Sequence, residues 1–312
     1  MAKKKKETIE FRFYDVPQGE NVLVLMGESW NRVYGHDETG LHFHNLMEIG
    51  ICRRGQGILG LNKEKMRYKT GDITIIPENY PHITVSDGEN PNFWEYLFFN
   101  PKSIIEELFP GSPAFQNEVM DHISKRPLIL KSEEHPTLLR MFDSVLEEKK
   151  NEKKHYHLMI RFFIRAFVVE MLRQYSKEME MTISAGGEEG ITPIAPALKY
   201  INENYASQIK AGKLAEVCNI SETHFRRLFE EHTNMSPMDY VNLIRIQNAC
   251  ELMKKTSDSM DVVATKCGFS TTSTFNRNFK KFLDTSPYQW KINPENYEGK
   301  LQNYHISALK GW

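Results

Sequence analysis

The last hundred or so residues of the chain align with themselves, and a repeat of this kind leaves few folds open. The segment KLAEVCNISETHFRRLFEEHTNMSP recurs as DVVATKCGFSTTSTFNRNFKKFLDTSP. Ala215 and Ala264, like Cys218 and Cys267, lie 49 residues apart, whereas Phe225 and Phe275, Phe229 and Phe279, and Pro237 and Pro287 lie 50 apart. One residue is therefore inserted just after Ser270. Each copy reads as a short helix with a small alanine, a tight connection ending in serine, and a second helix with aromatics four apart. The alanine lets two helices cross closely, and Ser221 or Ser270 is placed to cap the second helix. The unit is a helix-turn-helix, present twice. A single helix from about Ser236 to Lys254 joins the copies; at ~1.5 Å per residue it measures ~28 Å, commensurate with the ~34 Å between successive major-groove faces.

In the second helix of the first copy, Phe225, Leu228 and Phe229 share the core face. The opposite face holds Thr223, Arg226, Arg227 and Glu230, matched in the second copy by Ser273, Asn276, Arg277 and Lys280. Arginine and asparagine pair bidentately with guanine and adenine edges in the major groove. For one copy an ordinary solvated face competes with this reading; two copies matched at the same offsets favour recognition of double-stranded DNA by Thr223, Arg226, Arg227, Ser273, Asn276, Arg277 and Lys280. Residues 193–292 carry 13 Lys and Arg against 10 Asp and Glu, while the whole chain has a net charge of −1. So small an excess gives only weak, salt-sensitive attraction to phosphate, and base contacts must supply the rest.

From Phe11 to about Asn100 short apolar or alternating runs are broken by glycine, proline and asparagine, as in an antiparallel barrel or sandwich. After Pro101 the spacing turns helical, with long helices expected over 135–152 and 155–179. The second is apolar around most of its circumference, with Arg161, Arg165 and Arg173 on a narrow wet stripe. Its own barrel or a second subunit could cover it; in the latter case Phe162, Phe163, Phe167 and Val169 are the expected anchors. TISAGGEEGIT, residues 182–192, is small and polar, as a linker should be. The run HLMIRFFIRAFVVEML is interrupted by charge and too short to span a bilayer, so no membrane segment is expected. Four dispersed cysteines without a CxxC pair read as reduced thiols of a cytoplasmic protein. The opening MAKKKKE reads as a solvated tail.

Over residues 193–292 the chain resembles the AraC/XylS family of bacterial transcription regulators. LAEVCNIS…FRRLFEEHTNMSPMDYV and VATKCGFSTTSTFNRNFKKFLDTSPYQW carry the resemblance. Asn234 and Asp284 stand where the family usually has glycine before each xSP; both tolerate the left-handed conformation, so the turn should be retained. The resemblance implies a DNA operator as partner, RNA polymerase as a second if the chain activates, and a cupin-like sensor at the N-terminus.

LHFHNLMEIGICRRGQG, with GDITIIPENYPH after it, resembles the paired motifs of a cupin barrel. The cupin metal ligands map onto His42, His44, Glu48 and His82, with Asn79 replacing a usual glycine and Ser86 a usual asparagine. Three imidazoles and a carboxylate would suit manganese, iron, nickel or zinc. A metal-dependent cupin enzyme with an appended DNA-binding domain is thus the alternative. The favoured reading needs no cofactor and has no catalytic residue: regulators of this type keep the same pattern as a sugar pocket. Here His42, His44, Glu48 and His82 would orient hydroxyls, and Trp30, Tyr34 and Trp94 would offer flat apolar faces.

The expected protein is α+β. A cupin-like antiparallel β-barrel fills 1–134, a helical dimerisation element 135–181, the linker 182–192, an all-α domain with two helix-turn-helix motifs in seven helices 193–292, and a tail 293–312. It is a ligand-responsive, sequence-specific transcription regulator, an activator of carbohydrate-utilisation genes, acting as a homodimer on a sugar effector.

Overall fold

The computed structural model describes residues 10–14, 16, 20–35, 41–61, 64–124, 126–184, 193–233, 235–283, 285–292 and 306–310. The chain divides into two compact units near residue 189.

The N-terminal unit is built on two sheets. The strands are β1 (Glu10–Tyr14), β2 (Leu23–Leu25), β3 (Asn31–Arg32), β4 (His42–His44), β5 (Met47–Arg54), β6 (Gln56–Leu61), β7 (Glu64–Lys69), β8 (Asp72–Ile76), β9 (His82–Ser86), β10 (Asn92–Phe99) and β11 (Leu128–Lys131). One sheet runs β1-β4-β9-β6-β7; the other runs β11-β8-β5-β10-β2, with β3 also paired to β10. The pairings are antiparallel except β1 with β4. Four helices complete the unit: α1 (Pro101–Leu108), α2 (Pro113–Ile123), α3 (Pro136–Asn151) and α4 (Tyr156–Ser184).

The second sheet is buried on both faces, which explains why MEIGIC is apolar almost without alternation. Met47, Ile49 and Ile51 of β5, Ile73 and Ile75 of β8, and Leu97 and Phe99 of β10 join one core with Leu138, Phe142 and Val145 of α3 and Ile164, Phe167 and Val168 of α4. The alternate residues, Glu48, Gly50 and Cys52, are paired with Phe98, Tyr96 and Trp94 and take the other face. At Gly50 a Cβ would come within 2.6 Å of Thr74 Oγ1 and 3.1 Å of the Tyr96 ring. Glycine there makes room for the tyrosine.

Two expectations for the long helices change. The linker, placed from 182, begins later, because α4 continues to Ser184; residues 185–192 lie outside the described residues, as do MAKKKKE, Asn234 and Asp284. Phe167 is not a free anchor: it and Phe163 pack into the core of their own unit, since the sheet already offers an apolar face at that height of the helix. Val169 is half-buried, and Phe162 is 62% exposed, with Leu158 and Met159 exposed beside it.

The C-terminal unit contains the seven expected helices: α5 (Ala195–Asn204), α6 (Ala211–Val217), α7 (Glu222–Thr233), α8 (Pro237–Lys255), α9 (Met260–Lys266), α10 (Thr272–Leu283) and α11 (Pro287–Ile292). A strand, β12 (Ile306–Lys310), ends the described chain. In both SP pairs serine caps and proline opens the next helix: Asp239 N–H donates to Ser236 Oγ at 3.1 Å and Gln289 N–H to Ser286 Oγ at 3.2 Å. Arg245, buried in α8, donates to the carbonyls of Tyr205 and Ser207 at 2.7 and 2.8 Å and so ties the joining helix to the loop after α5.

Candidate functional site

In the helix-turn-helix units, α6 with α7 and α9 with α10, the turn needs a residue with positive φ. Asn219 supplies it in the first (φ 53°) and Gly268 in the second (φ 85°). Gly268 has a further reason to lack a side chain, because a Cβ would lie 2.7 Å from the Tyr205 carbonyl oxygen. The cap of α7 is Ser221, as expected, with His224 N–H donating to its Oγ at 3.4 Å. The cap of α10 is Thr271, not Ser270: Thr274 N–H donates to Thr271 Oγ1 at 3.1 Å. The inserted residue shifts the cap by one, and from there onward the offset is 50.

Phe225 and Phe229, and Phe275 and Phe279, are fully buried, fixing one face of α7 and of α10 inward. Thr223, Arg226 and Arg227, and Ser273, Asn276, Arg277 and Lys280, are all exposed on the face away from that core. Within α7, Arg226 Nη2 lies 2.6 Å from Glu222 Oε1 and Arg227 Nη1 lies 3.1 Å from Glu231 Oε1.

In the N-terminal unit, His42, His44, Glu48 and His82 are buried, and one ligand atom from each lies within 4.8 Å of the others. Strand geometry brings them together. His42 and His44 alternate inward on β4, His42 is paired across to His82 on β9, and Glu48 comes from the start of β5 on the facing sheet. The turn before His82 is held by Asn79, whose φ of 59° is the left-handed conformation and whose N–H donates to the His44 carbonyl at 2.7 Å. Asparagine performs there the part of the usual glycine.

Two backbone carbonyls fix the imidazoles. Leu46 O lies 2.7 Å from His44 Nδ1, and Tyr80 O lies 2.9 Å from His82 Nδ1. A carbonyl only accepts, so each Nδ1 donates to it and each ring turns its Nε2 inward. Both point at Glu48 Oε2, at 3.1 and 3.5 Å. Burial opposes charge on Glu48, but His82 and His44 outweigh it and hold the carboxyl at about 2. Burial lowers His44, and lowers His42 strongly with Arg12 adding to the effect. His42 Nδ1 and His82 Nε2 have no hydrogen-bond partner among the described residues. Three imidazoles and an ionised carboxylate thus converge in one buried space. This fits a cation: His42, His44, Glu48 and His82 are a donor set a divalent transition metal would accept, with Leu46 and Tyr80 orienting two of the rings from behind.

The three aromatics expected near these ligands are buried. Tyr34 donates from its hydroxyl to the Trp30 carbonyl at 2.7 Å, and Trp30 meets Tyr96 edge to face. Trp94 stacks on Tyr96 and meets Tyr68 at its edge, so its ring is already covered by neighbours. Tyr96 and Phe98 were missed by sequence reasoning. They continue the inward row of β10 from Trp94 toward His44, whose ring contacts Phe98 at 5.3 Å. Tyr14 stacks on His44 at 5.0 Å, and Arg12, in register with His44, is also buried. The alternation WEYLF would have found Tyr96 and Phe98; the parallel pairing that brings in Arg12 and Tyr14 leaves no local mark.

Residues 32–163 match the family described as the AraC-like ligand binding domain, and residues 214–292 match a helix-turn-helix domain. Among curated relatives, the chain is 22% identical to the HTH-type transcriptional activator RhaS of Pectobacterium carotovorum over 79% of its length and 85% of the relative's. It is 22% identical to the raffinose operon transcriptional regulatory protein RafR of Pediococcus pentosaceus, over 78% of this chain and 83% of that one. It is 21% identical to the lactose operon transcription activator of Staphylococcus xylosus, over 78% and 82%. No helix among the described residues is long and apolar enough to cross a membrane.

Proposed function

Because the chain belongs to the AraC family of transcription regulators, joining an AraC-like ligand-binding domain to a helix-turn-helix domain, we propose that it is a cytoplasmic activator of carbohydrate-utilisation genes whose effector is a sugar. The observation that carries the DNA-binding part is the matched pair of exposed faces on α7 and α10. Thr223, Arg226, Arg227, Ser273, Asn276, Arg277 and Lys280 are assigned to the operator. Effector contact is assigned to His42, His44, Glu48 and His82, with Tyr34 and Trp30; Trp94, already covered on its ring, supports Tyr96 instead of stacking on ligand. The relatives named for the raffinose and lactose operons favour a sugar. As an activator it would contact RNA polymerase, and it works as a homodimer through the exposed face of α4.

A thermal-shift screen of mono- and oligosaccharides against the full chain tests the effector. A sugar at a hundredfold excess over Kd stabilises by about 2.7 kcal/mol, enough to move the melting temperature visibly. His44→Ala should abolish the shift without abolishing folding. Shifts from metals alone, with none from any sugar, would overturn the sugar reading.

The converging imidazoles and carboxylate favour a second feature of the same cluster: His42, His44, Glu48 and His82 hold a divalent transition metal, which would supply positive charge for a hydroxyl to coordinate. The role remains sensing, not turnover. Elemental analysis of protein purified without added metal, repeated for Glu48→Gln, checks it: about one metal per chain in the wild type and a loss in the variant are expected, and a metal-free wild type that gains no stability from manganese, iron, nickel or zinc contradicts it. Turnover of a screened sugar by the metal-loaded chain would favour a cupin enzyme instead.

A further inference from the structure

The two recognition helices share one scaffold but not one charge. At the 50-residue offset, Glu222, Glu230 and Glu231 of α7 correspond to Thr272, Lys280 and Lys281 of α10. Helix α7 therefore sets Arg226 and Arg227 against three carboxylates, while α10 has Arg277, Lys280 and Lys281 and no acid. Both arginines of α7 are engaged four residues along their own helix, Arg226 through Nε and Nη2 on Glu222 Oε1 and Arg227 on Glu231. Lys281 is held by Asp239 at 2.6 Å, but among the described residues no ion pair engages Arg277 or Lys280.

We propose a division of labour between the motifs: α10 supplies the sequence-independent grip on DNA, and α7 supplies discrimination, engaging only where base edges replace the carboxylates around Arg226 and Arg227. This rests on the DNA-binding reading above and concerns how that surface is used. Exposed ion pairs within a helix are weak, so Arg226 and Arg227 are released easily. The carboxylates nevertheless stay beside the groove and repel phosphate whichever partner the arginines take. On random DNA the ionic contributions of α7 cancel, whereas Arg277 and Lys280 displace counterions without an opposing charge. On a matching site, bidentate base contacts to Arg226 and Arg227 offset what the carboxylates cost.

The test is binding of the full chain to a random-sequence duplex, followed by fluorescence anisotropy over a range of salt. Arg277→Gln with Lys280→Gln should reduce the slope of log K against log salt by about two, since each phosphate contact contributes about 0.9. Arg226→Gln with Arg227→Gln should change it by less than about 0.5. Glu222→Gln with Glu231→Gln should tighten random-duplex binding severalfold. Unchanged melting temperatures keep these effects apart from unfolding, and each pair is also made singly so that one folded variant remains. Equal loss of slope from both basic pairs, or no gain from removing the carboxylates, overturns the proposal while leaving DNA binding intact. A wild-type chain that binds no duplex even at low salt overturns the DNA-binding reading as well, so the two failures are distinct.

Discussion

Asn79 shows how much one residue's backbone contributes to the cluster. Its positive φ turns the chain so that His82 faces His42 across the paired strands. Left-handed backbone is strained for residues with a Cβ, least so for asparagine and not at all for glycine. Asn79→Ala should therefore destabilise the protein by about 1–2 kcal/mol, and Asn79→Gly by little; urea titration measures both, and equal costs would refute the conformational explanation. Its neighbour Glu78 gives a test in pH. Burial pushes the Glu78 carboxyl from 4.5 up to about 7, with Lys102 pulling the other way. A group raised on folding stabilises fully below its unfolded value and loses that contribution as pH climbs through the folded one. Glu78→Gln should then raise the melting temperature relative to wild type at pH 8 and give no such advantage at pH 4. A difference independent of pH would mean that Glu78 is not held in this way.

Among the elements, α4 has two unlike faces. Phe167 and Val168 belong to the core shared with the second sheet, while Leu158, Met159 and Phe162 stand exposed on the same helix. Phe162→Asp should therefore convert a dimer to a monomer in sedimentation without lowering the melting temperature, whereas Phe167→Asp, burying a charge, should unfold the N-terminal unit. A dimer that survives Phe162→Asp places the interface elsewhere. The contrast also marks what could be read beforehand. Helical period showed that α4 is apolar nearly all round, but which phenylalanine meets the sheet depends on a partner element that period does not describe. The duplicated motif was legible because its constraints are local: alanine at the crossing, a cap, aromatics four apart. Even so, the cap at Thr271 was set one residue early, since the insertion fixes an offset and not the residue that accepts the bond. His42, His44, Glu48 and His82 were legible through the resemblance of two short motifs to those of a cupin barrel. Tyr14 and Arg12 were not, because the parallel pairing of β1 with β4 brings them in.

On the scale of the whole chain, one unit gathers buried imidazoles and a carboxylate among aromatics, and the other presents two matched recognition helices joined by the 19-residue α8. The central claim is that this is a sequence-specific DNA-binding regulator. Its most direct test is selection of bound duplexes from a random pool by the full chain, with sequencing of what is retained. The account predicts an enriched site whose preferred bases are those read by α7 in the major groove, and loss of that preference when Arg227→Ala is used. A retained pool with no enriched sequence, from protein that is folded and binds duplex DNA, would contradict it.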